Sequence, residues 1–369
     1  MLSVSARDFR SYASAGVELG PRLTVITGPN GAGKTNFLEA LYFGCTGRSC
    51  RTANEREVVR FGQKATRVVV TAEAEDGRHE LAVGFVPGEP KRMRADGAHV
   101  ERMVDVSNRP LVSVFLPDRL ELVKGAPSLR RAHLDQFLAA LWPSRVGTRR
   151  AYAQSLAQRN ALISRIRQGE GDPASLTAWD RQLARHGMSL MDDRREAVEA
   201  LAARFGECCA QLGLDGRPQL SYRPRSAARD ADTLAAELAE RTSADLERGF
   251  TGHGPHRDDL RLAREDRELR AYGSQGQQRL GLLALLLAER TVIAERRDNP
   301  PLMLLDDVMS ELDGDRRRAL VDLLRTAGGQ AVITATDVEQ VPGSDESDVT
   351  QITVSGGELS SSGDRLRAA

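Results

Sequence analysis

Gly28-Pro29-Asn30-Gly31-Ala32-Gly33-Lys34-Thr35 fits the pattern Gly-x-x-x-x-Gly-Lys-[Ser/Thr]. The β-branched run Leu23-Thr24-Val25-Ile26-Thr27 precedes it, and Asn36 with Phe37-Leu38-Glu39-Ala40-Leu41 follows as the first turns of a helix. Strand, glycine loop and helix in that order are the context this pattern requires. The glycines let the backbone bend until successive N–H groups face an anion, and the helix N-terminus adds its positive partial charge. Lys34 is placed to reach the β- and γ-phosphates of a nucleotide such as ATP, and Thr35 to ligate Mg²⁺. Residues 28–36 are therefore the expected nucleotide-binding residues, with Lys34 also catalytic.

Two further segments carry chemistry. The apolar run Leu302 to Leu305 ends in Asp306-Asp307, with Ser310-Glu311-Leu312-Asp313 close behind. Carboxylates at the C-terminal end of a strand suit a metal, which gives Asp306 to Mg²⁺ and makes Asp307 the candidate general base. Gly273-Ser274-Gln275-Gly276-Gln277-Gln278-Arg279 opens the apolar helix from Leu280 to Ala294. A Ser/Gly turn at a helix N-terminus is a second anion cradle, although such turns also serve simply as caps.

With 369 residues, the chain holds about two domains, or one with a large insertion. A hydrophobic fraction of 40% together with 33 glycines excludes wholesale disorder. The longest apolar run, Leu280 to Ala288, is far short of the ~20 residues of a membrane span. Arg7, Asp8 and Arg10 interrupt any N-terminal apolar signal, so a cytoplasmic protein with no membrane partner is expected. Cys45, Cys50, Cys208 and Cys209 have neither metal-ligand nor disulfide spacing and read as reduced thiols. Net charge is zero but segregated: residues 1–150 carry 23 Lys+Arg against 16 Asp+Glu, and the remainder 29 against 36. Only Lys34, Lys64, Lys91 and Lys124 are lysines, an arginine bias that fits phosphate recognition or simply a codon-biased genome.

Strands are expected at 23–27, 67–71, 80–86, 111–115, 302–305 and 331–334, with sheet character again near Leu260. From about Leu129 the chain turns helical, and Val198, Leu201, Phe205, Cys208 and Leu212 recur at helical spacing. The pattern lasts a few turns before Gly213, which predicts a short helical arm. After Ser355 the Gly/Ser-rich end predicts a flexible tail.

Taken in order, the glycine loop, helical insertion, Ser-x-Gly-Gln segment, Asp-Asp and Ser-Glu-Leu-Asp are similar to the ATPase heads of the ABC class. More narrowly, the chain resembles the RecF family. Asp8-Phe9-Arg10-Ser11-Tyr12, Thr46-Gly47-Arg48-Ser49-Cys50-Arg51-Thr52, Pro117-Asp118-Arg119-Leu120 and Gly254-Pro255-His256-Arg257-Asp258-Asp259-Leu260 carry that resemblance. It implies an α/β fold, an ABC-ATPase head of the P-loop NTPase type with an inserted lobe of short antiparallel helices. The head would span 1–128 and 251–355, the lobe 129–250 and the tail 356–369.

The resemblance also implies an ATP-dependent homodimer. Ser274, Gln275, Gly276 and Gln277 of one subunit would close on the γ-phosphate held by Lys34 of the other, with Ser310, Glu311, Leu312 and Asp313 as the D-loop and Thr35 and Asp306 holding Mg²⁺. Its implied partners are double-stranded DNA, single-/double-strand junctions, and RecR, RecO and RecA during gap repair, in a nucleoid-associated setting. Three departures from the wider ABC pattern stand out. Asp307 replaces the usual Glu and is about 1.5 Å shorter, which predicts slow hydrolysis. Thr334-Ala335-Thr336-Asp337 lacks the switch histidine, which leaves Thr336 and Asp337 as switch candidates. Pro117-Asp118 replaces the expected glutamine, which makes Asp118 a third.

Arg48 and Arg51 follow the nucleotide-loop helix and are candidate lid contacts. Basic clusters at Lys91-Arg92 with Arg94, Arg130-Arg131, Arg149-Arg150, Arg194-Arg195 and Arg316-Arg317-Arg318 are candidates for DNA phosphates, most of them reading as solvated faces. Aromatic content of 4% provides no stacking platform, so duplex backbone is favoured over single strands. His253 and His256 lack a distant third ligand and are assigned no role. The alternative is a membrane transporter's nucleotide-binding subunit, against which stand the Asp-Phe-Arg-Ser-Tyr start, the missing histidine and the helical insertion.

Overall fold

Val4 and Ala6 face inward beside outward Ser5 and Arg7, the period of two of a strand, which ends on buried Phe9. A computed structural model describes residues 1–74, 76–116, 120–297 and 299–361. It divides into two units, Met1–Asp118 with Ile293–Ala369, and Arg119–Val292. Asp118 and residues 362–369 lie outside the described residues.

The first unit holds two six-stranded sheets. One is antiparallel, β1 (Ser3–Phe9), β2 (Tyr12–Glu18), β4 (Thr66–Ala74), β5 (Gly77–Phe85), β6 (Arg92–Ala95) and β7 (Ala98–Val100), in the order β2-β1-β4-β5-β6-β7. The other comprises β3 (Leu23–Thr27), β8 (Val112–Phe115), β12 (Leu302–Leu305), β13 (Ala331–Ala335), β14 (Val349–Ser355) and β15 (Glu358–Ser361). Its order is β15-β14-β3-β13-β12-β8, parallel except for β15.

Helix α1 (Lys34–Thr46) packs against strands of both sheets, and one apolar cluster joins its Phe37, Leu38, Leu41 and Phe43 to Val68 and Val83 on one side and Leu304 and Val332 on the other. The approach is close enough that a Cβ on Gly44 would stand 2.6 Å from a Val70 methyl. Helix α10 (Gly314–Thr326) links β12 to β13, capped by Asp313, whose carboxylate accepts from Arg316 N at 3.0 Å.

The expected head strands are present. The flexible tail expected from residue 356 is corrected over 356–361. Gly356 and Gly357 turn the chain at positive φ, and β15 pairs antiparallel with β14. Backbone pairing at a sheet edge orders what side-chain composition alone would leave loose.

The second unit is mainly helical: α2 (Glu121–Lys124), α3 (Pro127–Leu141), α4 (Val146–Arg167), α5 (Leu176–Gln211), α6 (Ala231–Glu240), α7 (Thr242–Arg248), α8 (Leu269–Tyr272) and α9 (Gln275–Arg297), whose last residues enter the first unit. Its small sheet is β9 (Pro218–Arg223), β10 (Asp259–Arg264) and β11 (Arg267–Glu268), ordered β11-β10-β9. At 36 residues, α5 is about 54 Å long, longer than the short arm the sequence predicts. Val198, Leu201, Phe205 and Cys208 lie on its buried face.

The unit boundaries also correct the expected ones. The stretch 251–292, read as head, belongs with the helices because its aspartates are tied there. Asp259 takes a bidentate pair from Arg130 of α3 at 2.6 and 2.9 Å. Asp258, fully buried, accepts from Tyr222, from Arg225 N at 2.7 Å and from Arg194 of α5 at 3.4 Å. His256 sits between Tyr152 Oη and Thr251 O, and burial pushes its imidazole down to about 4. Among the described residues no helix is long and apolar enough to cross a membrane.

Candidate nucleotide site

The loop from the end of β3 to α1 needs glycine at two places. Gly28 has φ 151°, and a Cβ there would lie 2.3 Å from Val354 O, while Gly33 caps α1 at φ 117° with Tyr12 Oη in the way. Tyr12 instead donates to Gly33 O at 3.0 Å. Lys34 folds back over the loop and donates to Gly28 O at 2.7 Å and Pro29 O at 3.1 Å.

One residue further on, Thr35 donates to Asp306 at 2.8 and 3.0 Å to its two oxygens, which links the loop to the end of β12. Thr334 at the end of β13 also donates to Asp306 Oδ1, at 2.7 Å, and its hydroxyl accepts from Asp307 N at 2.9 Å. A continuous hydrogen-bonded link thus runs Thr35, Asp306, Thr334, Asp307. Burial pushes the Asp306 carboxyl up, the two threonine bonds oppose that rise, and the nearby Asp307 adds to it.

Asp307 is held in the left-handed region at φ 45°, a conformation that L-residues other than Asn and Asp seldom adopt. Its carbonyl accepts from Ser310 Oγ at 2.8 Å. Its Oδ1 is buried and, among the described residues, has no hydrogen-bond partner. An orphaned, buried carboxylate oxygen at this place marks a position kept for chemistry.

The other sequence candidates fall in several places. Ser310, Glu311 and Asp313 are exposed beside Asp307, and Leu312 is buried. Thr336 accepts from Gln340 Nε2 at 2.7 Å, and Asp337 is exposed. Ser274, Gln275, Gly276 and Gln277 belong to the second unit, at the N-terminus of α9. There Ser274 N donates to Gln277 Oε1 at 2.9 Å and Gln277 N to Ser274 Oγ at 3.3 Å, a reciprocal cap. Arg48 is exposed. Arg51 donates to Asn36 Oδ1 at 2.9 Å and to Glu39 Oε2 at 3.3 Å.

Sequence reasoning singles out neither Thr334 nor Glu39. Glu39 is fully buried on α1, where it accepts from Arg10 Nε and Nη2 at 2.8 and 2.7 Å and from Ser49 Oγ at 2.5 Å. Ser11 Oγ accepts from Asn36 Nδ2 at 2.9 Å. Two segments far apart in the chain, 8–12 and 46–52, therefore clamp the first turns of α1. The charge inside the apolar run Phe37 to Leu41 was the available signal.

The family described as "RecF/RecN/SMC N terminal domain" matches residues 1–356. DNA replication and repair protein RecF of Anaeromyxobacter sp. (strain Fw109-5) is 37% identical over 98% of each chain. The protein of that name from Myxococcus xanthus (strain DK1622) is 37% identical over 97% of this chain and 96% of its own. A solved structure titled as the recombination mediator protein RecF with ATP in the RecFOR pathway superposes with a TM-score of 0.84 at 26% identity, covering 98% of this chain and 96% of that one. The head domain of an Smc protein from Pyrococcus furiosus shares the fold alone, at TM-score 0.59 and 15% identity. These matches favour the repair reading over the transporter alternative. With this fold, this loop-and-aspartate site and these relatives, the chain belongs to the RecF family.

Proposed function

We propose that this chain is an ATP-dependent DNA-binding protein of recombinational repair, in which ATP brings two copies together on DNA and slow hydrolysis releases them. The observation that carries the reading is the link Thr35–Asp306–Thr334–Asp307 ending in a buried carboxylate oxygen that has no partner among the described residues. The solved relatives whose titles name ATP and its analogue in the RecFOR pathway support it.

The residues present fit ATP and Mg²⁺. Thr35 and Asp306 offer hard oxygen donors side by side at the foot of the loop, the set a small divalent cation takes. When bound, Mg²⁺ neutralises charge that develops on the β- and γ-phosphate oxygens. Lys34, held by two carbonyls at the loop mouth, is the cation available to those phosphates. Residues 28–36, Pro29 apart, supply backbone N–H groups, and with them comes the positive end of α1. Asp307 Oδ1, fixed by its backbone and Thr334, accepts the proton of an attacking water. A side chain one methylene shorter than glutamate makes that step slow. Thr336, Asp337 and Asp118 remain the switch candidates, and Arg48 and Arg51 the lid candidates.

In the dimer, the exposed N-terminus of α9, with Ser274, Gln275, Gly276 and Gln277, meets the γ-phosphate of the partner copy. Ser310 to Asp313 form the D-loop. Duplex DNA and single-/double-strand junctions are the nucleic-acid partners. RecO and RecR cooperate with the chain in loading RecA in a cytoplasmic, nucleoid-associated setting. The test is Lys34→Met in the full chain. Loss of ATP binding or turnover with the thermal unfolding profile retained supports the reading, and unchanged turnover overturns it.

A further inference from the structure

Two of the basic clusters are drawn on internally, since Arg130 and Arg194 are buried in ion pairs with Asp259 and Asp135. Arg149, Arg195, Arg316 and Arg318 stay at least partly exposed and pair with Asp135, Asp192, Asp313 and Asp315, the last three being weak surface pairs between residues three apart. Lys91 is held by Gly47 O and Glu55. The outer face of the antiparallel sheet is different. Its register sets Arg7 directly opposite Arg67, Arg67 opposite Gly84, and Gly84 opposite Arg92, with Ala82 opposite Arg94 in the next row.

All four arginines are exposed, while Val68, Val83 and Phe85 on the other face are buried. Arg92 has a single exposed partner, Glu89 at 3.2 Å, and such a pair is worth little. The guanidinium groups of Arg7, Arg67 and Arg94 have no hydrogen-bond or ion-pair partner among the described residues. Like charges directly opposite on a sheet are destabilising, so the Arg7–Arg67 pair is kept at a cost in the free protein. Gly84 and Ala82 floor a cavity of about 350 Å³ between Arg67, Arg92 and Arg94.

We propose that this arginine row is the surface on which the chain grips the sugar-phosphate backbone of duplex DNA; the proposal rests on the DNA-binding reading above. Three strand steps of about 4.8 Å carry the row across about 14 Å. A duplex presents one charge per about 1.7 Å of its axis, so several phosphates fall within reach. Guanidinium groups match phosphate bidentately. Among the described residues the face carries no Phe, Tyr or Trp, with His99 opposite Arg94 its one aromatic ring, which favours duplex over single strands.

The test is binding of a labelled duplex to the full chain with ATP, titrated over salt. Arg7→Ala/Arg67→Ala/Arg94→Ala should flatten the slope of log K against log[salt] by about 2.7, and weaken binding roughly a hundredfold at about 0.15 M salt. Gly84→Glu sets a carboxylate between Arg67 and Arg92. A Cβ there meets only ordinary contacts, Arg92 O at 3.8 Å and Arg92 Cβ at 3.9 Å, so the fold should tolerate it while DNA affinity falls in the same direction. ATP binding and thermal unfolding report that each variant is folded, and Arg150→Ala on α4 is the control that leaves affinity unchanged. Wild-type binding with unchanged slope and affinity in folded variants overturns the row alone. Failure of the unaltered chain to bind duplex at any salt overturns the DNA-binding reading and the row with it. Competition by polyglutamate as strong as by duplex at equal charge overturns the assignment to nucleic acid.

Discussion

Replacing Glu39 by Gln removes the only carboxylate that Arg10 grips bidentately, at 2.7 and 2.8 Å, while Glu39 itself is fully buried. The amide keeps one acceptor and turns an NH₂ toward a guanidinium donor, so at least one strong bond is lost and Arg10 is left with the longer contact to exposed Glu57, at 3.8 Å. Breaking a buried pair from one side costs about 3–5 kcal/mol. The bond to Arg51 is long, at 3.3 Å, and that side chain is 40% exposed, so its share is small. A loss of about 3–4 kcal/mol is a large part of the ~5–15 kcal/mol that holds a domain folded. At ~2–4 °C per kcal/mol for a unit of this size, the first transition should fall by about 6–16 °C.

Circular dichroism of the full chain on heating reads this. The double change Arg10→Met with Glu39→Leu, which removes both charges and refills the space, should recover most of the loss. Because Asn36 and Glu39 share Arg51, the single variant should also bind ATP more weakly. A fall under about 2 °C for Glu39→Gln would refute the claim that residues 8–12 and 46–52 clamp the start of α1 through this carboxylate.

Asp307→Asn should keep ATP binding and the fold but lower turnover by about 10²–10⁴-fold, the usual worth of a general base; stopped-time phosphate release measures it, and turnover within a factor of three removes Asp307 from the role. Ser274→Arg should leave each monomer able to bind ATP yet block ATP-driven association, read by sedimentation with and without nucleotide; dimerisation equal to the unaltered chain contradicts closure through α9.

The parts legible in the sequence are those in which side-chain pattern and backbone requirement coincide. The glycine loop, the strands at 23–27, 302–305 and 331–334, and the aspartates after Leu305 all announce themselves, because an apolar parallel strand ending in a polar turn has few other readings. Strand β1 is built on Val4 and Ala6 among Ser3, Ser5 and Arg7, and β15 on Glu-Leu-Ser-Ser. Neither carries enough apolar contrast to be read before its partners are known. The assignment of 251–292 to the second unit rests on buried ion pairs of Asp258 and Asp259 with Arg194 and Arg130, sequence separations of 64 and 129. Hydrophobic periodicity is blind to such pairs. The same holds for Glu39 and Thr334, whose partners converge only once both sheets are assembled around α1.

The measurement that tests the account most directly is duplex affinity against salt under three conditions: the full chain with ATP, the full chain with ADP, and Lys34→Met with ATP. If ATP closes two copies on DNA, the first condition should show the tightest binding and the steepest slope, by about 0.9 for each added phosphate contact. The other two should resemble one another. Duplex sequence should matter little, because phosphate contacts carry no base information. Identical slope and affinity in all three conditions would contradict the switch, even with DNA binding retained.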